Sequence, residues 1–181
     1  HLPEAEPLER SYDFGFVGRL VPHKGAHIAI EALPSGCSLI LAGQPRDQGY
    51  FASLQQLARN RDVTFVADAS DTIVASLHRS IGCLLVPSVE HYQDREFSRP
   101  ELLGLVALEA LAAGTPVIGS AVGGLGELLA IAGQVSVQPG NVAEWHQALT
   151  RASGSGLPAV TSSAFTWDAV AQKCIDLYRA L

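Results

Sequence analysis

Short apolar runs closed by glycine or proline alternate with longer helix-like segments along the whole of this 181-residue chain. That alternation constrains the fold more than any other feature. Residues 12–17 end at Gly18, residues 38–42 at Gly43, and residues 83–86 at Pro87. Residues 63–66 and 116–119 form two further runs, and helices are expected over 25–33, 50–59, 72–79 and 103–113, the last closed by Gly114. Residues 126–130, 135–137 and 142–151 continue the pattern, a Gly/Ser/Pro linker follows at 153–158, and an amphipathic helix is expected over 167–181. Brief continuous apolar runs suit strands buried on both faces, and strand–helix alternation predicts an α/β parallel sheet with helices on both faces. Ligands of such sheets sit at the carboxyl ends of the strands, so the loops after Val17, Ala42, Val66, Val86 and Ile118 are the ones to inspect.

Composition narrows the function classes. With 48% hydrophobic residues the chain can bury a full core, as one domain spanning 1–181. A formal net charge of -6 gives no support to nucleic-acid binding. Cys37, Cys83 and Cys174 lie far apart with no metal-ligand spacing, and they read as the reduced thiols of a cytoplasmic protein. No secretory leader and no unbroken apolar run of membrane-spanning length is present. The chain starts at His1 and contains no methionine, so it reads as a fragment.

Three segments carry chemistry. In Gly18-Arg19-Leu20-Val21-Pro22-His23-Lys24-Gly25, directly after the first strand, two cations can converge on one dianion, the Arg as a fork of donors and the Lys as a mobile point charge. Taken alone, the two read as unrelated exposed cations of a solvated surface loop. The second segment runs from Glu101 to Glu109. Glu109 is the one charged residue between Leu103 and Ala113, and a carboxylate buried there needs donors, such as vicinal ribose hydroxyls or a basic partner. Glu101 precedes the helix, either as a cap or as a ligand group, and helical rise sets the two acids about 12 Å apart. Between them, the amides near Gly104 and Leu105 carry the positive end of the helix dipole. The third segment, Gly123-Gly124-Leu125-Gly126-Glu127, reads by itself as a tight turn. Neither it nor Gly15-Phe16-Val17-Gly18 has the spacing of a dinucleotide fingerprint.

Taken in order, these pieces resemble the C-terminal domain of the family 4, or group 1, glycosyltransferases of the GT-B fold. The resemblance runs through GRLVPHKG, LILAG, VTFVAD, LLVPS, PELLGLVALEALAAGTPVIGS and VGGLGELL to a closing helix over 165–181. It implies a Rossmann-like domain that binds a nucleoside-diphosphate sugar, with transfer of the glycosyl group under retention. Arg19 and Lys24 match the cations that stabilise the departing diphosphate, and Glu101 matches the first acid of an E-x7-E motif, facing the sugar. Glu109 matches the second, on the ribose. Gly18, Gly104, Leu105 and Val106 match donor-binding positions at the phosphates, and Ala67 lies where the nucleobase is bordered.

The family also implies no metal or other cofactor, and no DxD motif occurs. It implies an N-terminal acceptor-binding domain as partner, through which any association with a membrane surface would arise. Without that domain, this chain is expected to bind donor and not turn over. Leu102-Leu103 replace the family's usual Pro-Phe, Ala67 stands where glycine is common, and residues 89–99 add a polar stretch with His91, Asp94, Arg95, Glu96 and Arg99. That stretch reads either as a surface loop or as a lid over sugar or acceptor. The alternatives are a noncatalytic sugar-nucleotide-binding module working through a partner chain, and a GT-B nucleotide-sugar epimerase.

Overall fold

A computed structural model describes residues 11–98, 101, 103–155, 157, 171–172, 175–176 and 178–179. Its strands are β1 (Tyr12–Val17), β2 (Ser38–Ala42), β3 (Asp62–Val66), β4 (Ile81–Val86), the short β5 (His91–Tyr92) and β6 (Arg95–Glu96), β7 (Val117–Ser120) and β8 (Val135–Val137). The helices are α1 (Ala26–Ala32), α2 (Gln48–Leu57), α3 (Asp71–Ser80), α4 (Leu105–Ala112), α5 (Gly123–Ile131) and α6 (Val142–Ser155). Six strands form one parallel sheet in the order β3-β2-β1-β4-β7-β8. The chain therefore builds outward from β1 to β3, then crosses back to lay β4 on the other side of β1. This reversal leaves a crevice beyond the carboxyl ends of β1 and β4, where neither neighbouring crossover covers the sheet.

Alternation along each strand divides the apolar side chains between two layers. Phe14, Phe16, Leu39, Leu41, Cys83, Leu85 and Ile118 join Ile28, Ile30, Leu54, Trp145 and Leu149 of α1, α2 and α6 on one face. Ile40, Ala42, Leu84, Val86 and Val117 join Leu77, Ala107, Leu111, Leu125 and Leu129 of α3, α4 and α5 on the other. Burying each large aliphatic side chain contributes roughly 1.5–3 kcal/mol before chain entropy is set against it. A Leu or Ile on either face is therefore worth more to the fold than any exposed ion pair.

The expected elements form, with shifted edges. β4 begins at Ile81 because Gly82 lets it approach β1 closely: a Cβ there would press on the Asp13 carbonyl, and Tyr12 pairs in register with Ile81. α2 begins earlier than expected because Asp47 caps it, accepting from Tyr50 N–H at 2.9 Å. α5 begins at Gly123, three residues ahead of the apolar stretch that marks it in the sequence. α6 runs through 153–155, the first part of the expected linker, as its apolar face extends to Ala152 against the core. Most of the expected closing helix over 165–181 lies outside the described residues, as do Cys174, Arg99 and Leu102; residues 171–172, 175–176 and 178–179 are helical.

The polar stretch after β4 is a hairpin, with β5 and β6 antiparallel and Gln93 at φ 52° in its turn. It is anchored by rings. Tyr92 meets His27 at 4.7 Å and Tyr50 at 5.4 Å between centroids, and Phe97 meets His23 at 5.2 Å. Two-residue strands carry too little periodicity to be seen in sequence, and the anchoring partners sit far away in the chain. Among the described residues, no helix is long and apolar enough to cross a membrane.

Candidate functional site

The loop leaving β1 is fixed at three points. Gly18 N–H donates to the Ala42 carbonyl at 2.9 Å and Leu20 N–H to that of Gln44 at 2.9 Å, while the Leu20 side chain is fully buried. Pro22 to Lys24 form a 3-10 turn that ends at Gly25, with φ 72°. That glycine is required twice over. Its dihedral is left-handed, and a Cβ would collide with the Pro87 carbonyl at the end of β4. A bond from Val89 N–H to the His23 carbonyl, 2.9 Å, closes the same seam. With Leu20 and Gly25 tied down, Arg19 is left exposed, while His23 and Lys24 are half-buried.

Across the crevice, Glu101 is gripped by donors from three segments. Its Oε2 accepts from Lys24 Nζ at 2.6 Å and from Ser88 Oγ at 3.4 Å, and its Oε1 accepts from Gly104 N–H at 3.2 Å. The carboxylate thus ties Gly104, the residue that opens α4, to Lys24 in one arrangement and neutralises the lysine; it does not cap the helix, whose N-cap is Gly104 without a side-chain bond. Gly104, at φ 77°, turns the chain into the helix. Gly123 backs the same spot, since a Cβ there would meet the Glu101 carbonyl. The glycine turn that reads in sequence as merely tight therefore seats the first acid.

These parts face one open cavity of about 680 Å³ at the β1–β4 crevice, lined by Gly18, Arg19, His23, Lys24, Ser88, Glu101, Gly104, Leu105 and Val106, with Phe16, Val17, Leu85, Val86 and Leu103 as its apolar wall. Arg19 makes no ion pair with any described residue, so among those residues one of the two cations is unneutralised. The opening amides of a helix lack intrahelical partners and carry its positive end. Of those around α4, Gly104's is taken by Glu101, and the next two residues, Leu105 and Val106, line the cavity. Arg19, a second cation paired with Glu101, the helix tip and an apolar wall make a receptacle for an anion attached to a larger organic group.

Seven of the nine residues singled out from sequence meet here: Gly18, Arg19, Lys24, Glu101, Gly104, Leu105 and Val106. Ala67 and Glu109 do not line this cavity. Ala67 is exposed in the turn after β3. Glu109 lies one turn beyond Leu105 on the same face of α4. It corrects one expectation: its side chain is 49% exposed and is not sunk in an apolar core, because α4 buries Ala107, Ala110 and Leu111 instead. Its nearest ionisable partner is a histidine, with His78 Nε2 at 3.8 Å from Oε2. Partial burial, then the nearby Asp71, push its carboxyl above the usual range.

Besides the apolar wall, two polar lining residues escaped sequence reasoning. His23 belongs to the basic loop yet was given no role; burial first, then Lys24 and Arg19, hold its imidazole below the ordinary range, with Glu101 opposing. It is a neutral donor or acceptor between two cations. Ser88, fully buried, reaches Glu101 from the loop after β4 that the switch-point rule had marked for inspection.

The family model for glycosyl transferases group 1 matches residues 3–160. Glycogen synthase of Mycobacterium tuberculosis is 36% identical over 98% of this chain and 44% of its own length. Among solved structures, sucrose-phosphate synthase from Thermosynechococcus elongatus superposes with a TM-score of 0.68 at 27% identity, over 97% of this chain and 46% of that one. Anabaena HepE, in complex with UDP and glucose, gives 0.74 at 23% identity, over 95% and 49%, a likeness of fold alone. The chain spans less than half the length of these proteins. Its six-stranded sheet is the Rossmann-like architecture of GT-B glycosyltransferases, and the chain belongs to the group 1 glycosyl transferases.

Proposed function

We propose that this domain binds a nucleoside-diphosphate sugar in the β1–β4 crevice and that the whole protein transfers the glycosyl group to an acceptor with retention of configuration. The observation that carries this reading is the meeting of Lys24 and Glu101 at 2.6 Å, although 77 residues separate them in the chain. It joins the cationic loop, Arg19 included, and the tip of α4 in one cavity.

Glycosyl transfer builds negative charge on the departing diphosphate as the anomeric carbon becomes cationic. Arg19, Lys24 and the amides of Leu105 and Val106 would meet that charge without a metal, in fixed positions and partly shielded from water. Gly18 and Gly104, lacking side chains, let the phosphates approach the backbone. Glu101 would turn from Lys24 to the hydroxyls of the transferred sugar as the diphosphate takes the lysine over. Glu109, one turn further along α4, would hold the ribose, and the turn at Ala67 would border the base. Residues 1–181 act in this reading as a single donor domain, and the remaining length of the relatives corresponds to an acceptor-binding domain facing the crevice.

Calorimetry of this chain with UDP, GDP and ADP tests the reading. Saturable 1:1 binding of one of them is expected, with no glycosyl transfer by the domain alone. Absence of binding by all three, in protein shown to be folded, would remove the proposal.

A further inference from the structure

His78, on the buried side of α3, is fully enclosed, and neither ring nitrogen has a hydrogen-bond partner among the described residues. Its backbone is committed elsewhere, since its carbonyl accepts the Thr115 hydroxyl and so ties α3 to the turn between α4 and β7. Enclosing polar atoms without partners is costly, and an apolar side chain of similar size would avoid that cost. A histidine kept there asks for a use. Burial holds its imidazole down to about 4, so at neutral pH the ring is uncharged and carries one N–H. The nearest carboxylate is Glu109, whose Oε2 lies 3.8 Å from Nε2, roughly 1 Å beyond a normal hydrogen bond. Asp71, the other charge felt by Glu109, repels it toward the protonated form. Nothing else in the described surroundings of Glu109 supplies a fixed donor.

We propose that His78 is a positioning residue for Glu109, with the imidazole N–H closing on one carboxylate oxygen when ribose hydroxyls engage the other. The inference rests on the reading of Glu109 as the ribose-binding acid. In this structure the pair stands slightly open and Glu109 is half in solvent. Ribose brings the carboxylate inward, and the bond from His78 fixes its rotamer and offsets the repulsion from Asp71. His78 thereby acts on recognition of the sugar moiety of the nucleotide and not on the diphosphate.

The test compares UDP, GDP and ADP with their 2′-deoxy counterparts by calorimetry on this chain, in the wild type, His78→Phe and His78→Gln, with thermal unfolding as the check on folding. In the wild type the ribonucleotide should bind more tightly than its deoxy counterpart. In His78→Phe that preference should shrink about 3- to 10-fold with deoxy affinity little changed, and His78→Gln, which keeps an N–H near the same place, should restore much of it. An undiminished ribo preference in folded His78→Phe overturns the inference while leaving the ribose reading intact. No ribo preference in the wild type instead overturns the reading of Glu109, and the inference with it. Should His78→Phe fail to fold, nitrogen-15 NMR of the unsubstituted protein decides: the His78 Nε2 resonance should move on saturation with the ribonucleotide, and an unmoved resonance refutes the proposal.

Discussion

Glu101 and Glu109 flank the first turns of α4, and their surroundings differ at every point. Glu101 has a side chain only 12% exposed and is held by an ammonium, a hydroxyl and a backbone amide from three separate segments. Glu109 is 49% exposed, with a single imidazole standing just out of reach. Two glycines with positive φ, Gly25 and Gly123, hold the backbone around the first acid. No comparable clamp surrounds the second. In the proposed reading, the end that would take the diphosphate is thus assembled in advance, and the end that would take the nucleoside is the looser one. Preorganisation belongs where charge develops in the reaction, because there it lowers the barrier directly; looseness is tolerable where the contact is the same before and after transfer.

The largest effects should fall on the preassembled end. Arg19→Ala or Lys24→Ala in the full-length protein is expected to lower the transfer rate by about 10²–10³, measured as kcat with saturating donor. Lys24→Ala should also lower thermal stability, as Glu101 loses its closest partner, whereas Arg19→Ala should not. Equal and small kinetic losses in both would break the contrast between a built and an unbuilt end.

Acid should next expose the cost of the uncharged histidines behind the site. His27, bonded through Nδ1 to the Tyr50 hydroxyl at 2.8 Å, and His78 are both held down to about 4 by burial. The unfolded chain takes up protons near the ordinary value of 6.5, and the folded chain does so only near 4. Stability is therefore full above pH 6.5 and falls as the pH drops toward 4, by roughly 3 kcal/mol for each ring. Urea unfolding at pH 7 and pH 4.5 checks this, and His78→Phe should remove its share of the loss.

A glycine substitution sharpens the comparison further. Gly25→Ala combines a left-handed dihedral with a clash on the Pro87 carbonyl, so a loss of about 1–3 kcal/mol in stability is expected together with weaker nucleotide binding. The smallest effect is expected at the loose end. Glu109→Gln should leave the unfolding midpoint within the range of ordinary surface changes, about 0.5 kcal/mol, while weakening nucleotide binding several-fold in titration. A large stability loss there would mean that Glu109 is a structural residue after all.

The layered architecture was legible because each strand carries its own signal. The runs at 12–17, 38–42 and 83–86 end at glycine or proline, which disfavour continuing a strand, and the switch-point rule then located the crevice. The convergence of Lys24 on Glu101 was also within reach, since both lie in loops that the rule sends to one end of the sheet. What escaped depends on contacts between distant residues. The hairpin is held by Tyr92 on His27 and Tyr50, and no local pattern announces that docking. Glu109 was read as buried because its neighbours in sequence are apolar, yet only Ala107, Ala110 and Leu111 turn to the core, and Glu109 shares the exposed face of α4 with Leu105. His78 looked like any helical histidine, because its enclosure is set by the packing of α3 and α4 on the sheet.

The central claim is that a pyrophosphate is clasped between the β1 loop and the tip of α4. A crystal structure of this chain soaked with the nucleoside diphosphate that binds best tests it most directly. The phosphates are expected within hydrogen-bond distance of Arg19, Lys24 and the Leu105 or Val106 amides, with Glu101 released from Lys24. Phosphates bound elsewhere, with the Lys24–Glu101 pair undisturbed, would contradict the account.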